Sequence, residues 1–123
     1  MKTYSFEKLE VWQCARKLSV QVYRLTNRFP AEEKYGLASQ MRRAAISICS
    51  NLAEGTSKIS GKEKARFTET SFCSLMELLN QSIISADLEF LSREDLVPLR
   101  NMIDEIAVKS SRLRDSQLKQ SPH

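Results

Sequence analysis

The chain has 123 residues, of which 41% are hydrophobic and 28% are charged, so one domain can bury a core without disulfides or a metal. Three glycines and three prolines are too few for a loop-rich or all-β fold. No apolar run approaches the roughly 20 residues that span a bilayer. Glu7 and Glu10 lie where a signal peptide would be apolar, so we expect a cytoplasmic protein with no membrane partner.

The net charge of +4 is unevenly distributed. Residues 1–66 carry thirteen Lys/Arg against six Asp/Glu, whereas residues 67–123 carry six against nine. One half can therefore attract an anionic partner, or the two halves can attract each other between subunits. A solvated surface explains the same distribution, and the sequence leaves these interpretations open.

The first two helices are predicted from apolar spacing. A repeat of three or four residues predicts a first helix from Phe6 to Arg28, and Pro30 ends it because the residue before a proline disfavours the helical conformation. A second helix then begins near Glu32–Tyr35 and ends at Gly55 as a C-terminal cap. The residues that carry the first repeat are Trp12, Ala15, Leu18, Val22, Leu25 and Phe29.

Two further helices follow, each opened by a capping box. Ser60 with Glu63 starts the third helix, and Ser92 with Asp95 precedes the fourth. We expect the regular part of the fourth helix to begin at Pro98, because a proline inside an established helix kinks it. The apolar repeat ends at Leu113, so residues 1–116 form the predicted domain and residues 117–123 a disordered tail.

Four helices with short connections and a repeat near 3.5 residues predict an all-α fold, an antiparallel up-down-up-down four-helix bundle. On the third helix, Ser71, Ser74 and Ser82 are small enough to let a neighbouring helix come close.

The second helix is apolar almost all round, except for one polar stripe spaced 3, 4, 4 and 3 residues apart. Buried polar groups need partners, and a buried arginine needs a carboxylate. We therefore expect Arg43 to pair with Glu77 or Glu54, and the stripe to be a structural hydrogen-bonded seam. The stripe consists of Gln40, Arg43, Ser47, Asn51 and Glu54.

Additional apolar residues on the second helix, away from its main apolar stripe, predict a subunit interface. They are Ile46, Cys49 and Ala53.

A basic run surrounds the connection between the second and third helices. It can bind phosphate, aided by the positive end of the third helix at Ser60, and a solvated loop is an equal explanation. The run consists of Lys58, Lys62, Lys64 and Arg66, with Arg42 and Arg43 upstream.

The residue types needed for catalysis or metal binding do not come together in the sequence. The glycines do not cluster as a phosphate-binding loop requires, and His123 is the one histidine. Cys14, Cys49 and Cys73 are far apart, and we expect them to be small buried residues. We expect no enzyme, no metal and no cofactor.

Seven segments of the chain together form a recognisable pattern: Leu9–Gln13, Phe29–Pro30 with Glu33, Tyr35–Leu37, Gln40–Ile48, Ser50–Gly55, Arg66–Phe67 and Ser74–Glu77. With these segments the chain resembles the four helix bundle protein family, also known as the 23S rRNA intervening-sequence proteins. The resemblance covers roughly Phe6 to Leu113, and departs from the family pattern at Cys49, where proline is usual, and Cys73, where glycine is usual.

The resemblance implies a cytosolic bacterial homopentamer with no established enzymatic activity. Some members are encoded within insertions in the large-subunit rRNA gene, which implies contact with RNA. The accessory proteins of diversity-generating retroelements look like the same pentameric bundle and bind nucleic acid and a reverse transcriptase. Two functions remain open: a non-enzymatic RNA-binding oligomer, and a protein–protein scaffold or accessory module with no role in binding nucleic acid.

Overall fold

Four α-helices form in the predicted order, and no strand occurs among residues 1–120, which this computed structural model describes. Short 3-10 helices at Ser5–Lys8 and Ala31–Glu33 precede the first and second of them. The predicted all-α, four-helix fold is confirmed. In the same residues, no helix combines the length and apolar character needed to cross a membrane. The helices are α1 Glu10–Thr26, α2 Leu37–Thr56, α3 Gly61–Asp87 and α4 Arg93–Lys119.

Hydrogen bonds between α1 and α2 show that these helices run in opposite directions. Ser19, in the middle of α1, donates to the carbonyl of Ala45 in α2 at 3.2 Å. Arg42, which lies earlier in α2, donates to Thr26 at the end of α1 at 2.8 Å. Later residues of α1 thus meet earlier residues of α2.

The other neighbouring helices show the same reversal. In the described residues α1 and α3 each pack on both α2 and α4, so the four helices occupy the corners of a square in chain order. For α2 and α3, the contacts that define the directions are Ser71–Ile48 and Ser85–Met41. For α3 and α4, they are Thr68–Gln117 and Glu69–Arg114. For α1 and α4, they are Glu10–Lys109 and the pair of Asp95 with Arg28, which lies just after α1.

Small residues let α2 and α3 approach closely, as predicted. The hydroxyl of Ser71 is fully buried and donates to the carbonyl of Ile48 at 2.9 Å. Gly55 lies in the last turn of α2, without the positive φ of a C-terminal cap, so its predicted capping role is wrong. A Cβ at this position would lie 3.0 Å from Cβ of Phe67, and the glycine therefore permits close packing.

Both of the first two helices begin later than predicted. Residues 5–8 form a separate 3-10 helix, and α1 begins at Glu10. At α2 the carboxylate of Glu33 accepts a hydrogen bond from the backbone N–H of Leu37 at 3.1 Å. This contact satisfies one of the unpaired N–H groups at a helix start, so α2 begins at Leu37.

The expected start of α4 at Pro98 is wrong, because the helix already begins at Arg93. The hydroxyl of Ser92 accepts a hydrogen bond from the N–H of Asp95 at 3.1 Å and caps this first turn. Pro98 deprives the carbonyl of Glu94 of its usual donor. Both residues are exposed, so water can satisfy that carbonyl and the helix continues.

The end of α4 also differs from the prediction, because the helix continues to Lys119. Gln117 is only 4% exposed, and its side-chain oxygen accepts a hydrogen bond from the hydroxyl of Thr68 at 2.7 Å. Residues 117–120 are therefore part of the bundle and not a disordered tail. Residues 121–123 of the predicted tail lie outside the described residues.

We expect Gln117→Ala to lower the free energy of unfolding by about 0.5–1.5 kcal/mol, because it removes the shorter hydrogen bond of the Thr68 hydroxyl and leaves the carbonyl of Lys64, at 3.3 Å, as its acceptor. Thermal denaturation followed by circular dichroism measures the change. Gln120→Ala is the matched control, since Gln120 is exposed. Equal melting temperatures for the two variants would mean that the end of α4 does not contribute to the bundle.

Candidate nucleic-acid interface

The middle of the α2 polar stripe forms a hydrogen-bonded seam against α3. The hydroxyls of Ser47 and Ser74 lie 2.8 Å apart and share a hydrogen bond. The side-chain amide of Asn51 donates to the carbonyl of Ser47 at 2.9 Å and to its hydroxyl at 3.1 Å. These polar groups satisfy one another where the two helices meet.

The charged members of the stripe are arranged differently. Arg43, Glu54 and Glu77 are exposed, as is Gln40, and no ion pair among residues 1–120 involves Arg43. The predicted pairing of Arg43 with Glu77 or Glu54 is therefore wrong for the single chain. Because these groups are exposed, water solvates them, and burial does not force them to pair.

The predicted basic run does not form one continuous surface. Nζ of Lys58 lies 4.9 Å from the ring centre of Phe67, and Arg66 pairs with Glu63 at 3.2 Å. Lys62 and Lys64 are two residues apart in α3, so they point to nearly opposite sides of the helix at about 100° per residue. Each of these cations thus has a separate environment.

Arg42 does not lie near the other members of this run. It lies fourteen positions before Thr56 at the end of α2, a distance of about 21 Å at 1.5 Å per residue. The expectation that Arg42 lies near the other cations of this run is therefore wrong, whereas its expected contact with phosphate stays a prediction. Arg42 belongs to a different group of cations, at the other end of the bundle.

That group lines a cleft of about 570 Å³ beside α2 and the connection that precedes it. Its described lining contains three cations, two tyrosines and no carboxylate. We call it the α1–α2 cleft. It is lined by Tyr23, Lys34, Tyr35, Ser39, Arg42, Arg43, Ile46 and Ser47.

Arg42 is held in one orientation by its neighbours. Its Nε donates to the hydroxyl of Thr26 at 2.8 Å, and its Nη2 donates to the side-chain oxygen of Asn27 at 2.9 Å. The guanidinium carbon lies 4.8 Å from the ring centre of Tyr23, a cation–π distance. A guanidinium has five N–H donors, so these two bonds leave others for a ligand.

The other two cations of the cleft make fewer contacts. Nζ of Lys34 lies 5.5 Å from the ring centre of Tyr35, whose side chain is 86% exposed, and Arg43 is exposed as well. Glu33, the acidic neighbour of Lys34, is engaged in capping α2 through the N–H of Leu37. The cleft therefore presents an excess of positive charge beside exposed aromatic surface.

Sequence reasoning missed Tyr23, Lys34 and Tyr35. Tyr23 lies one residue beyond Val22 and off the apolar face of α1, and it is 42% exposed. Tyr35 follows a lysine in a connection where no periodicity assigns it to the core. An aromatic residue next to a cation and outside an apolar repeat is the signal that would have found both positions.

A cluster of ion pairs joins α1 to α4, away from the cleft. Nζ of Lys109 lies 2.6 Å from carboxylate oxygens of both Glu10 and Glu105. Hydrogen bonds to these two carboxylates raise the pKa of Lys109 well above its usual range. The hydrogen bond from Lys109 lowers the pKa of Glu105 in turn. This cluster links the two helices and leaves the lysine fully charged.

The cysteines have three different environments. Cys14 and Cys49 are half-buried, whereas Cys73 is exposed, so the expectation of a buried residue is wrong for Cys73. Burial raises the pKa of the Cys49 thiol, and its hydrogen bond with Ser19 offsets only part of that effect. Cys49 therefore stays a thiol at neutral pH, the unreactive form. Among residues 1–120, no three His, Cys, Asp or Glu side chains gather as a metal site would need.

The comparisons with known proteins identify the family. Residues 7–112 match the family described as 23S rRNA-intervening sequence protein, which is not a known enzyme family. No curated protein matches the chain. The matched residues include all of α1, α2 and α3 and the part of α4 up to residue 112, and they contain the whole α1–α2 cleft. The chain therefore belongs to the 23S rRNA-intervening sequence protein family.

Proposed function

We propose that this protein is a non-enzymatic, cytoplasmic, homo-oligomeric RNA-binding protein that contacts phosphate groups through the α1–α2 cleft. The observation that carries the proposal is the clustering of Lys34, Arg42 and Arg43 in a cleft whose described lining has no carboxylate. Arginine presents paired N–H donors that fit phosphate oxygens. The family description, which refers to 23S rRNA, supports RNA as the anion.

The cations around the connection between α2 and α3 supply secondary contacts in this proposal. Lys62 is exposed and Lys64 is half-buried, so both can approach a phosphate. Arg66 already pairs with Glu63, and Lys58 lies over Phe67, which reduces what either offers to RNA. Phosphate contacts carry no sequence information, and we therefore expect weak sequence preference from these residues.

The proposed oligomer is a pentamer, a number taken from the resemblance described above. Ile46 remains 46% exposed on α2, while Cys49 is partly covered by α1 through Ser19. Five linked copies of the α1–α2 cleft would raise avidity for one RNA by orders of magnitude without any new contact.

A protein–protein scaffold is the second candidate function, and the outer surface of α4 favours it. Val97 and Val108 are 58% and 51% exposed, and Asp104 lies between them on the same face. Exposed apolar side chains on one helix face are typical of docking surfaces. The same surface can equally well bind a second copy of the chain.

Salt-dependent RNA binding tests the proposed function. The double variant Lys34→Gln/Arg43→Gln should flatten the slope of log affinity against log salt by about 1.4 for each subunit that contacts single-stranded RNA, since each lost phosphate contact removes about 0.7. Fluorescence anisotropy with a labelled RNA of mixed sequence, titrated at several salt concentrations, measures this slope.

The matched control is Lys8→Gln/Lys17→Gln, which removes two exposed cations that do not line the α1–α2 cleft and do not lie on α4. Like the test variant, it removes two positive charges, but it should leave the slope of log affinity against log salt nearly unchanged. Because Arg43 and Lys34 are exposed and form no ion pair among residues 1–120, the test variant should also melt like the wild type. Equal slopes for the two double variants would refute the cleft as the phosphate site.

A further inference from the structure

We infer that the α1–α2 cleft binds an unpaired RNA nucleotide, with the base stacked on Tyr35 and the phosphate against Arg42 and Arg43. The inference rests on the proposed RNA-binding function and adds the structural form of RNA that the site selects. The α1–α2 cleft has a volume of about 570 Å³, which lies within the range of small-molecule sites.

Tyr35 provides the stacking surface. Its side chain is 86% exposed in the connection just before α2, and the one cation within cation–π distance among the described residues is Lys34. Burying this aromatic ring would stabilise the folded protein, but the ring remains exposed to solvent. Bases stack on tyrosine rings in a sequence-tolerant way, because every base has a π-face.

Arg42 and Tyr23 form the second wall of the cleft. Two hydrogen bonds, to Thr26 and Asn27, fix the guanidinium, whose carbon lies 4.8 Å from the centre of the Tyr23 ring. A fixed guanidinium can stack on a base or donate to a phosphate without losing further side-chain entropy.

An unpaired nucleotide fits these walls better than a duplex. In an A-form helix the bases are stacked on each other, and a protein meets mainly phosphates and 2′-hydroxyls. A duplex could therefore use Arg43 and Lys34, but it offers no base face to Tyr35. Splayed bases in loops and single strands present both the phosphate and the π-face that the cleft combines.

Binding of a single-stranded RNA and of the same strand in a duplex, by wild type and Tyr35→Ala, tests the inference. Tyr35→Ala should lower affinity for the single strand roughly 5- to 150-fold, the range for losing one stacked base. The salt slope should stay unchanged, because stacking releases no counterions. Affinity for the duplex should change little.

Two further variants control the test. Tyr35→Phe keeps the ring and should bind nearly as wild type. Tyr4→Ala removes another exposed tyrosine that also lies beside a lysine, since Nζ of Lys2 is 5.2 Å from the Tyr4 ring centre, and it should have no effect. A single strand that carries the fluorescent base 2-aminopurine should be quenched by wild type and not by Tyr35→Ala.

The outcomes separate this inference from the proposed function. If Lys34→Gln/Arg43→Gln flattens the salt slope but Tyr35→Ala binds single strands normally, the stacking site is refuted and RNA binding stands. If wild type shows no salt-dependent RNA binding, both are refuted. If Tyr35→Ala instead dissociates the oligomer in light scattering, the cleft is a contact between copies of the chain, and the inference is wrong.

Discussion

Light scattering on the purified protein at micromolar concentration should give a mass near five times the 14.1 kDa of the chain. The physical reason is that the chain has unlike surfaces that can meet head to tail. The half up to residue 66 is basic and the remaining half is acidic, and contacts between unlike surfaces close into rings when the rotation permits. A clean monomer at this concentration would refute the proposed oligomer.

The outer surface of α4 supplies the matched variants for this measurement. Val97→Lys/Val108→Lys places two charges on the most exposed apolar positions of that helix and should shift the mass toward that of the single chain. Ile59→Lys is the control, because Ile59 is fully exposed in the connection between α2 and α3. If the protein is a pentamer and neither variant changes its mass, the subunits contact one another through a surface other than the outer surface of α4.

Ile48→Ala should cost about 2–5 kcal/mol of unfolding free energy, which corresponds to a fall in melting temperature of about 8–20 °C. Ile48 is fully buried in the core where α2 and α3 pack closely. Removing its side chain loses apolar burial and leaves a cavity that the neighbouring helices can fill only in part.

Ile59→Ala is the matched control for the core, since it removes the same atoms from a fully exposed side chain. It should change stability by less than about 0.5 kcal/mol. Both variants and the wild type must be melted at one protein concentration, because assembly shifts apparent stability. Equal melting temperatures for Ile48→Ala and Ile59→Ala would contradict the packing of the core.

The fold could be predicted because its determinants are local in sequence. Apolar periodicity shows which residues share one side of a helix, even when the helix that packs against that side is not known. The cap of α3 is equally local, because the Ser60 hydroxyl accepts a hydrogen bond from the N–H of Glu63, three residues away. The prediction failed at Gln117, because its partner Thr68 is 49 residues distant. From the sequence alone, a buried polar residue is assigned to the surface unless its hydrogen-bond partner is known.

The candidate site could be predicted only in part, for a related reason. Periodicity gives the angle of Arg43 around α2, but not whether a neighbouring helix covers that angle. The partners that hold Arg42, namely Thr26 and Asn27, lie at the end of another helix. Tyr35 lies in a connection with no period at all, so its exposure follows from the path of the chain between α1 and α2.

The square arrangement of the helices has a consequence for how the chain folds. Every neighbouring pair is adjacent along the sequence except α1 and α4, whose seam includes the contact of Lys109 with Glu10, 99 residues apart. Closing short loops costs less entropy than closing long ones, and topologies rich in local contacts fold quickly. The hairpin of α2 and α3 can thus form early, and docking of α1 on α4 is the one step that must bring distant parts of the chain together.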